Sequence, residues 1–215
     1  MTRPRAVLFD WDNTLVDSWG TIHEAMRHCF VEMGREPWSL AEVKARTRLS
    51  LVEAFPPLFG ERWPEAREHY FRRFHEIHLE RIKPLDGVAA MLDGLAALGV
   101  PLAVVSNKTG ATLRKEAAHF GWTPRFAKLV GAGDAPADKP SAAPIFLAFD
   151  ALGVSRGEAT WYVGDTALDM ECAANAGCDG VLLHTALASD AAFERFAPAL
   201  RFADCASLLG HIKAL

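Results

Sequence analysis

Short apolar runs alternate with helical segments from residue 88 to the C-terminus, and this alternation constrains the fold of the 215-residue chain most strongly. Four apolar runs are predicted strands: residues 100–105, 127–130, 160–163 and 180–183. Five segments with helical spacing are predicted helices, most of them ending at a glycine: residues 88–98, 109–120, 141–152, 167–176 and 203–212. Strands that alternate with helices predict an α/β protein with a doubly wound parallel sheet.

The N-terminal part of the chain has a different pattern. A first apolar run, residues 6–9, predicts one more strand, and residues 18–84 contain only helical patterns. The helices are predicted over residues 21–33, 39–47, 49–59 and 64–82, with a Ser39–Glu42 capping box and with breaks at Pro56-Pro57 and Gly60. We therefore predict a sheet domain of residues 1–17 and 85–215, with an inserted helical domain of residues 18–84 over the C-terminal edge of the sheet.

Composition excludes several classes of partner. The net charge of −4 gives no basic surface for nucleic acid, and no apolar run is long enough to cross a bilayer. The first residues do not resemble a signal peptide, because they lead directly into the first strand. The four cysteines form no CxxC pair and indicate reduced core residues. We expect a cytoplasmic protein, either a monomer or a homodimer, that binds neither nucleic acid nor membrane.

Asp10 and Asp12 directly follow the first predicted strand. Two carboxylates at this spacing emerge at the C-terminal edge of the sheet, where open α/β sheets bind ligands. Their mutual repulsion is offset either by a divalent cation or by a proton on one of the two groups. A solvated Asp-x-Asp-Asn turn would use the same residues, so this pair alone leaves both interpretations open.

Further polar residues are predicted at the same edge. Ser106 and Asn107 follow the strand of residues 100–105, Lys139 precedes a helix, and Asp165 and Asp169 follow the strand of residues 160–163. A carboxylate can attack phosphorus, Mg²⁺ prefers oxygen ligands, and a lysine can neutralise phosphoryl charge. The set therefore indicates phosphoryl chemistry.

Four segments, in this order, carry a resemblance to a known family: residues 10–18, 104–108, 139–140 and 164–169. They resemble the motifs of the haloacid dehalogenase superfamily of aspartate-nucleophile phosphohydrolases, and the match covers nearly the whole chain. The resemblance implies a Rossmannoid catalytic core with a type 1 helical cap, Mg²⁺ as cofactor and a small phosphorylated metabolite as substrate. Residues 105–108 and the cap length are most similar to phosphoglycolate phosphatases.

The resemblance also implies a role for each acidic residue. Asp10 would be the nucleophile and a metal ligand. Asp12 would be the general acid and later the general base, with its backbone carbonyl on the metal. Asp165 would ligate Mg²⁺, and Asp169 would join the metal site by orienting the water shell of the metal or Lys139.

The remaining predicted site residues contact the substrate. Ser106 and the Asn107 amide would hold phosphoryl oxygens, and Lys139 would neutralise the charge of the phosphoryl group and of the nucleophile. In the helical insert, Arg46, Arg48 and Ser50 are candidates for contacts with the leaving group, although solvated arginines at a helix end would look the same.

Two positions depart from the usual family pattern. Asn13 stands where glycine is common, and asparagine tolerates the left-handed backbone that such a turn needs. Trp11 stands where phenylalanine is usual, and we expect its larger ring on the cap side.

Three other functions compete with the phosphatase. A phosphomutase of the same superfamily differs in how long the aspartyl phosphate survives. A dehalogenase needs no acid for an alkoxide leaving group, so Asp12 argues against it. A phospho-accepting switch domain also combines aspartates, a hydroxyl and a lysine, but it places the accepting Asp after a central strand and has no large insertion.

Overall fold

The computed structural model describes residues 2–46, 51–184 and 193–215, with only the backbone of residues 51–53. It divides into two compact units. The sheet unit comprises Met1–Val16 and Pro84–Leu215, and the helical unit comprises Asp17–Lys83.

Within the described residues, six strands form one sheet and two short strands pair separately. The strands are β1 Ala6–Phe9, β2 Val16–Asp17, β3 Lys83–Pro84, β4 Leu102–Thr109, β5 Lys128–Ala132, β6 Thr160–Gly164, β7 Asp179–Leu183 and β8 Leu200–Phe202. The order in the large sheet is β5-β4-β1-β6-β7-β8, and every neighbouring pair is parallel. The predicted parallel, doubly wound sheet is confirmed.

The helices are α1 Trp19–Glu32, α2 Leu40–Arg46, α3 Leu51–Phe59, α4 Trp63–Arg81, α5 Val88–Ala97, α6 Gly110–His119, α7 Ala143–Leu152, α8 Ala167–Ala176 and α9 Cys205–Ala214. Two short 3₁₀ helices cover Gly60–Arg62 and Thr123–Arg125. No helix in the described part of the chain is long and apolar enough to cross a membrane.

The strand β1 lies at the centre of the sheet, between β4 and β6. All four of its residues are fully buried, and each buried Leu or Phe side chain stabilises the fold by about 1.5–3 kcal/mol. After β1 the chain moves outward through β4 and β5, and it then returns to the other side of β1 for β6, β7 and β8. The strand order therefore reverses beside β1, which is the place where open α/β sheets bind ligands.

Helices cover the sheet and end as the glycine pattern predicts. Apolar residues of α7 and α8 share one core cluster with Ala6 and Leu8 of β1. Gly153 and Gly177 end these two helices with φ values of 65° and 73°, a left-handed conformation that costs glycine little.

The helical unit has its own aromatic core. The helices α1 and α4 pack together, and Phe55 and Tyr70 lie at its centre with a perpendicular ring contact at 5.8 Å. Ser39 and Glu42 form the predicted capping box, with distances of 2.9 Å from Ser39 N to Glu42 Oε2 and 3.3 Å from Glu42 N to Ser39 Oγ. The predicted break at Pro56-Pro57 is wrong, because α3 runs through both prolines to Phe59. Proline fixes a φ close to the helical value, so a proline can remain in a helix that loses one hydrogen bond.

Candidate active site

Asp10 lies at the C-terminal end of β1, at the centre of the sheet edge. Its backbone N–H donates to Val163 O at 2.8 Å, which fixes the end of β1 against β6. The residue is only 6% exposed, and its Oδ1 lies 2.7 Å from Lys139 Nζ. A buried carboxylate and a lysine thus meet across 129 positions of sequence.

Lys139 is fixed at both ends. Its ammonium lies 2.7 Å from Asp169 Oδ1 as well as from Asp10, and it faces the Tyr162 ring at 5.7 Å. At its backbone, the N–H donates to Asn107 Oδ1 at 3.0 Å, and the carbonyl accepts from Asn107 Nδ2 at 3.1 Å. The Asn107 side chain therefore holds the backbone of Lys139.

Asp169 is held from the opposite side by the start of α8. Its Oδ2 accepts from Thr166 Oγ1 at 2.6 Å and from Thr166 N at 3.0 Å, and the two residues form a capping box. Gly164 allows this approach, because a Cβ at that position would lie 2.4 Å from Asp169 Cβ. Tyr162 donates from Oη to Val105 O at 2.7 Å, and the same Oη lies 3.3 Å from Asp169 Oδ1.

Asp165 follows β6 beside this network. Thr14 is fully buried and donates from Oγ1 to Asp165 Oδ1 at 3.2 Å. His184 Nε2 lies 3.2 Å from the Thr14 carbonyl oxygen and donates to it in the tautomer that carries the proton on Nε2. The chain His184–Thr14–Asp165 therefore connects the end of β7 to the end of β6.

Three carboxylates converge in a way that suits a divalent cation. Asp10, Asp165 and Asp169 each offer an oxygen, and these atoms lie within 4.8 Å of one another. Oxygen-only ligands suit Mg²⁺. Burial raises the pKa of Asp10 to about 7, and burial together with the charges of Asp169 and Asp10 raises the pKa of Asp165 well above its ordinary value. A cation at this position would favour the ionised forms, so the residues present fit the cofactor.

Asp12 lies in a separate set of ionic contacts. Its Oδ1 is 2.7 Å from Lys108 Nζ, and the same ammonium lies 2.7 Å from Glu116 Oε2. Sequence reasoning did not single out Lys108 or Glu116. One available signal is the position of Glu116, which shares the buried face of α6 with Leu113 and Ala117.

The turn after β1 keeps the geometry that the family pattern needs. Asn13 adopts φ 62°, so the expectation that asparagine would support a left-handed turn is confirmed. Trp11 does not follow the expectation of a ring on the cap side. It is fully buried in the sheet unit, with its ring centroid 6.5 Å from that of Phe120 and 5.9 Å from that of Trp122.

The structure describes two of the four other residues that were predicted to contact the substrate. Ser106 is 5% exposed, and its Oγ accepts from Lys108 N at 3.2 Å. Arg46 places its guanidinium 4.7 Å from the centre of the Trp38 ring and 3.7 Å from Glu42. The two remaining predictions, for residues 48 and 50, lie outside the described residues.

Comparison with known proteins agrees with this geometry. The family model for haloacid dehalogenase-like hydrolases matches residues 7–183. A phosphoglycolate phosphatase of Xylella fastidiosa is 32% identical over 81% of this chain and 77% of its own length. The pyrophosphatase PpaX of Halalkalibacterium halodurans is 28% identical over 89% of each chain. A haloacid dehalogenase-like hydrolase of Streptococcus pneumoniae has the same fold, with a TM-score of 0.88 at 21% identity over 98% of this chain and 99% of its own.

The fold and the site define a doubly wound α/β protein with its polar residues at the C-terminal edge of a parallel sheet. The chain belongs to the haloacid dehalogenase-like hydrolase family. The predicted family, fold class and enzyme class, a phosphoric monoester hydrolase, are confirmed.

Proposed function

We propose that this enzyme is a Mg²⁺-dependent phosphatase that hydrolyses a small phosphomonoester through an aspartyl phosphate on Asp10. The observation that carries the proposal is the position of Lys139 Nζ, 2.7 Å from both Asp10 and Asp169, beside three converging carboxylates. Mg²⁺ bound through Asp10 and Asp165 would neutralise phosphoryl charge. Asp169 supports the same site by fixing Lys139.

The protein side chains can perform both halves of the reaction. Asp10 attacks phosphorus, the bond from phosphorus to the ester oxygen breaks, and Asp12 gives its proton to the leaving alcohol. Asp12 then takes a proton from water, which attacks the acyl phosphate, so that inorganic phosphate leaves and Asp10 is regenerated. Lys139, Ser106 and the Asn107 backbone N–H would bind the phosphoryl oxygens in both steps.

Phosphoglycolate is the first substrate to test, because a phosphoglycolate phosphatase is among the most similar relatives. Inorganic pyrophosphate is the second, because PpaX matches a larger share of the chain at lower identity. A panel of phosphorylated metabolites ranked by kcat/KM decides between them. Phosphoglycolate among the poorest substrates would refute the choice of substrate but not the phosphatase activity.

The chemistry is tested with p-nitrophenyl phosphate. We expect turnover that EDTA abolishes and Mg²⁺ restores, and that Asp10→Asn eliminates. Asp150→Asn is the matched control, since Asp150 is an exposed carboxylate on α7. Turnover by Asp10→Asn at the wild-type rate would exclude this residue as nucleophile. A stable phosphoprotein that passes its phosphoryl group only to a sugar phosphate would indicate a phosphomutase.

We further propose that the sheet unit carries the chemistry and that the helical unit serves as a substrate-selecting cap. The support is the type 1 cap that the family resemblance implies. Arg46→Ala and Arg48→Ala are expected to raise KM for phosphoglycolate while leaving that for p-nitrophenyl phosphate unchanged. A cytoplasmic location, supported by the four free cysteines, is tested by cell fractionation.

A further inference from the structure

Glu116 is a buried carboxylate with no part in the reaction steps described above. It lies on α6 with 0% exposure. Its Oε2 accepts from Trp11 Nε1 at 2.7 Å and from Lys108 Nζ at 2.7 Å. Burial of a carboxylate is unfavourable unless its charge is compensated, and here an ammonium and an indole N–H provide the compensation. Glu116 therefore contacts Trp11, which precedes Asp12 in sequence, and Lys108, whose ammonium contacts the Asp12 side chain.

Lys108 connects Glu116 to Asp12. The lysine side chain is 6% exposed, and the Asp12 side chain is 25% exposed. Burial alone would lower the pKa of the Lys108 ammonium, but the charges of Asp12 and Glu116 outweigh this effect and raise it. Lys108 is therefore a cation with a fully buried carboxylate on one side and a half-buried carboxylate on the other.

Trp11 completes the arrangement in a way that phenylalanine could not. Its ring packs against Phe120 and Trp122, which fixes the direction of the indole N–H. A phenylalanine has no donor for Glu116 Oε2. Trp11, which lies between Asp10 and Asp12 in sequence, thus supplies the indole N–H that Glu116 accepts.

We propose that Glu116 is a positioning residue for the proton transfer that Asp12 performs: it fixes the Lys108 ammonium, and Lys108 orients the Asp12 carboxyl group. A lysine has a flexible four-carbon stem, so its ammonium defines a position only when a rigid acceptor holds it. Proton transfer depends steeply on the orientation of the acid. The inference rests on the proposed function, in which Asp12 protonates the leaving alcohol.

The test compares two kinds of leaving group. p-Nitrophenolate leaves without a proton, whereas an alkoxide needs the acid. The second substrate is the aliphatic phosphomonoester that the wild-type enzyme cleaves best. We use kcat/KM, since for this mechanism it includes only steps up to release of the alcohol or phenol. A defect in proton transfer therefore slows the aliphatic ester selectively, whereas a general structural defect slows both esters.

We expect Glu116→Gln to lower kcat/KM for the aliphatic ester by about 10–100-fold, and for p-nitrophenyl phosphate by less than about 3-fold. Arg114→Met is the matched control. Arg114 lies on α6, the same helix as Glu116, and the substitution removes its ion pair with Asp134 without touching Asp12. The control should leave both values unchanged. Equal losses on the two esters by folded Glu116→Gln would overturn the proposal, and so would no loss on either.

A double-mutant cycle tests whether Glu116 acts through Lys108. Lys108→Met and the double variant with Glu116→Gln should show the same selective loss, because the carboxylate has no ammonium left to hold. Losses that multiply would overturn the proposal. If Glu116→Gln alone does not fold, the double variant decides the question, since removing both charges together leaves no isolated buried charge.

Asp12→Asn separates failure of this inference from failure of the proposed function. If Asp12→Asn slows both esters equally, Asp12 is not the acid, and both the proposed mechanism and the role of Glu116 are wrong. If Asp12→Asn slows the aliphatic ester selectively and Glu116→Gln does not, only the role of Glu116 is wrong.

Discussion

Thr166 offers the sharpest test of how the fold positions Lys139. Its hydroxyl donates to Asp169 Oδ2 at 2.6 Å and accepts from the Asp169 backbone N–H at 3.4 Å. Asp169 in turn holds Lys139 through its other oxygen at 2.7 Å. Thr166→Val removes the hydroxyl with little change in shape, and Thr166→Ser retains it.

The expected size of the effect follows from these contacts. Loss of a helix N-cap costs about 0.5–2 kcal/mol, and loss of a hydrogen bond to a charged group costs about 1.5–3 kcal/mol. The same hydroxyl makes both contacts, so the two values overlap, and we expect Thr166→Val to lower the free energy of unfolding by about 1–3 kcal/mol. If the freed carboxylate shifts away from Lys139, kcat/KM should fall by roughly 10–100-fold.

Urea denaturation measures the first effect, and steady-state turnover of p-nitrophenyl phosphate measures the second. Thr166→Ser should lie within about 0.5 kcal/mol of the wild type in unfolding free energy and within about 3-fold in kcat/KM. Wild-type stability and activity in Thr166→Val would refute the reasoning. Equal losses in the valine and serine variants would also refute it, because the hydroxyl would then not be the cause.

Three further predictions concern protonation and packing. Burial raises the pKa of Asp10 from 3.8 to about 7, so without a cation this group makes the native state less stable as the pH rises from about 4 to about 7. Mg²⁺ should therefore raise Tm more at about pH 8 than at about pH 6, and equal shifts would contradict this. Asn107→Leu, which removes both hydrogen bonds to the Lys139 backbone, should cost about 1–3 kcal/mol in urea unfolding, and wild-type stability of this variant would contradict the contacts. In the helical unit, hydrogen bonds from Arg27 and Arg73 lower the pKa of Glu24 to about 2. The ionised Glu24 therefore stabilises the native state fully above about pH 4.5, and this stabilisation is lost as the pH falls toward 2. The difference in Tm between wild type and Glu24→Gln should decrease as the pH falls from about 4.5 to about 2. A difference that persists at pH 2 would contradict the lowered pKa of Glu24.

The edge of the sheet that carries the candidate site could be predicted because strand ends are visible in the sequence. Asp10, Ser106 and Asp165 each lie at or near the end of an apolar run, and parallel strands bring their C-terminal ends to one edge. The strand β8 was missed because Leu200–Phe202 is three residues long with a central arginine, which gives no apolar run. The strand β4 extends to Thr109 through polar residues, whereas the pattern predicted that this strand ends after residue 105.

The ion pairs around Asp12 could not be predicted in the same way. Lys108 looks like a solvated loop residue, and although Glu116 shares a helix face with Leu113 and Ala117, nothing in the local pattern shows which groups its carboxylate contacts. Their contacts join distant parts of the chain, since Trp11 Nε1 donates to Glu116 Oε2 across 105 positions of sequence. Such a pairing is a property of tertiary packing and becomes visible only in the folded chain.

Gly164 has no side chain, and this limits how the site can be re-engineered. Even a methyl group at this position would overlap Asp169. Only glycine therefore permits the observed spacing between the end of β6 and the first turn of α8. Libraries intended to alter the candidate metal site can vary the carboxylates themselves, but they should leave position 164 fixed. An alanine at that position would disturb Asp169, and through it Lys139, before any designed ligand could take effect.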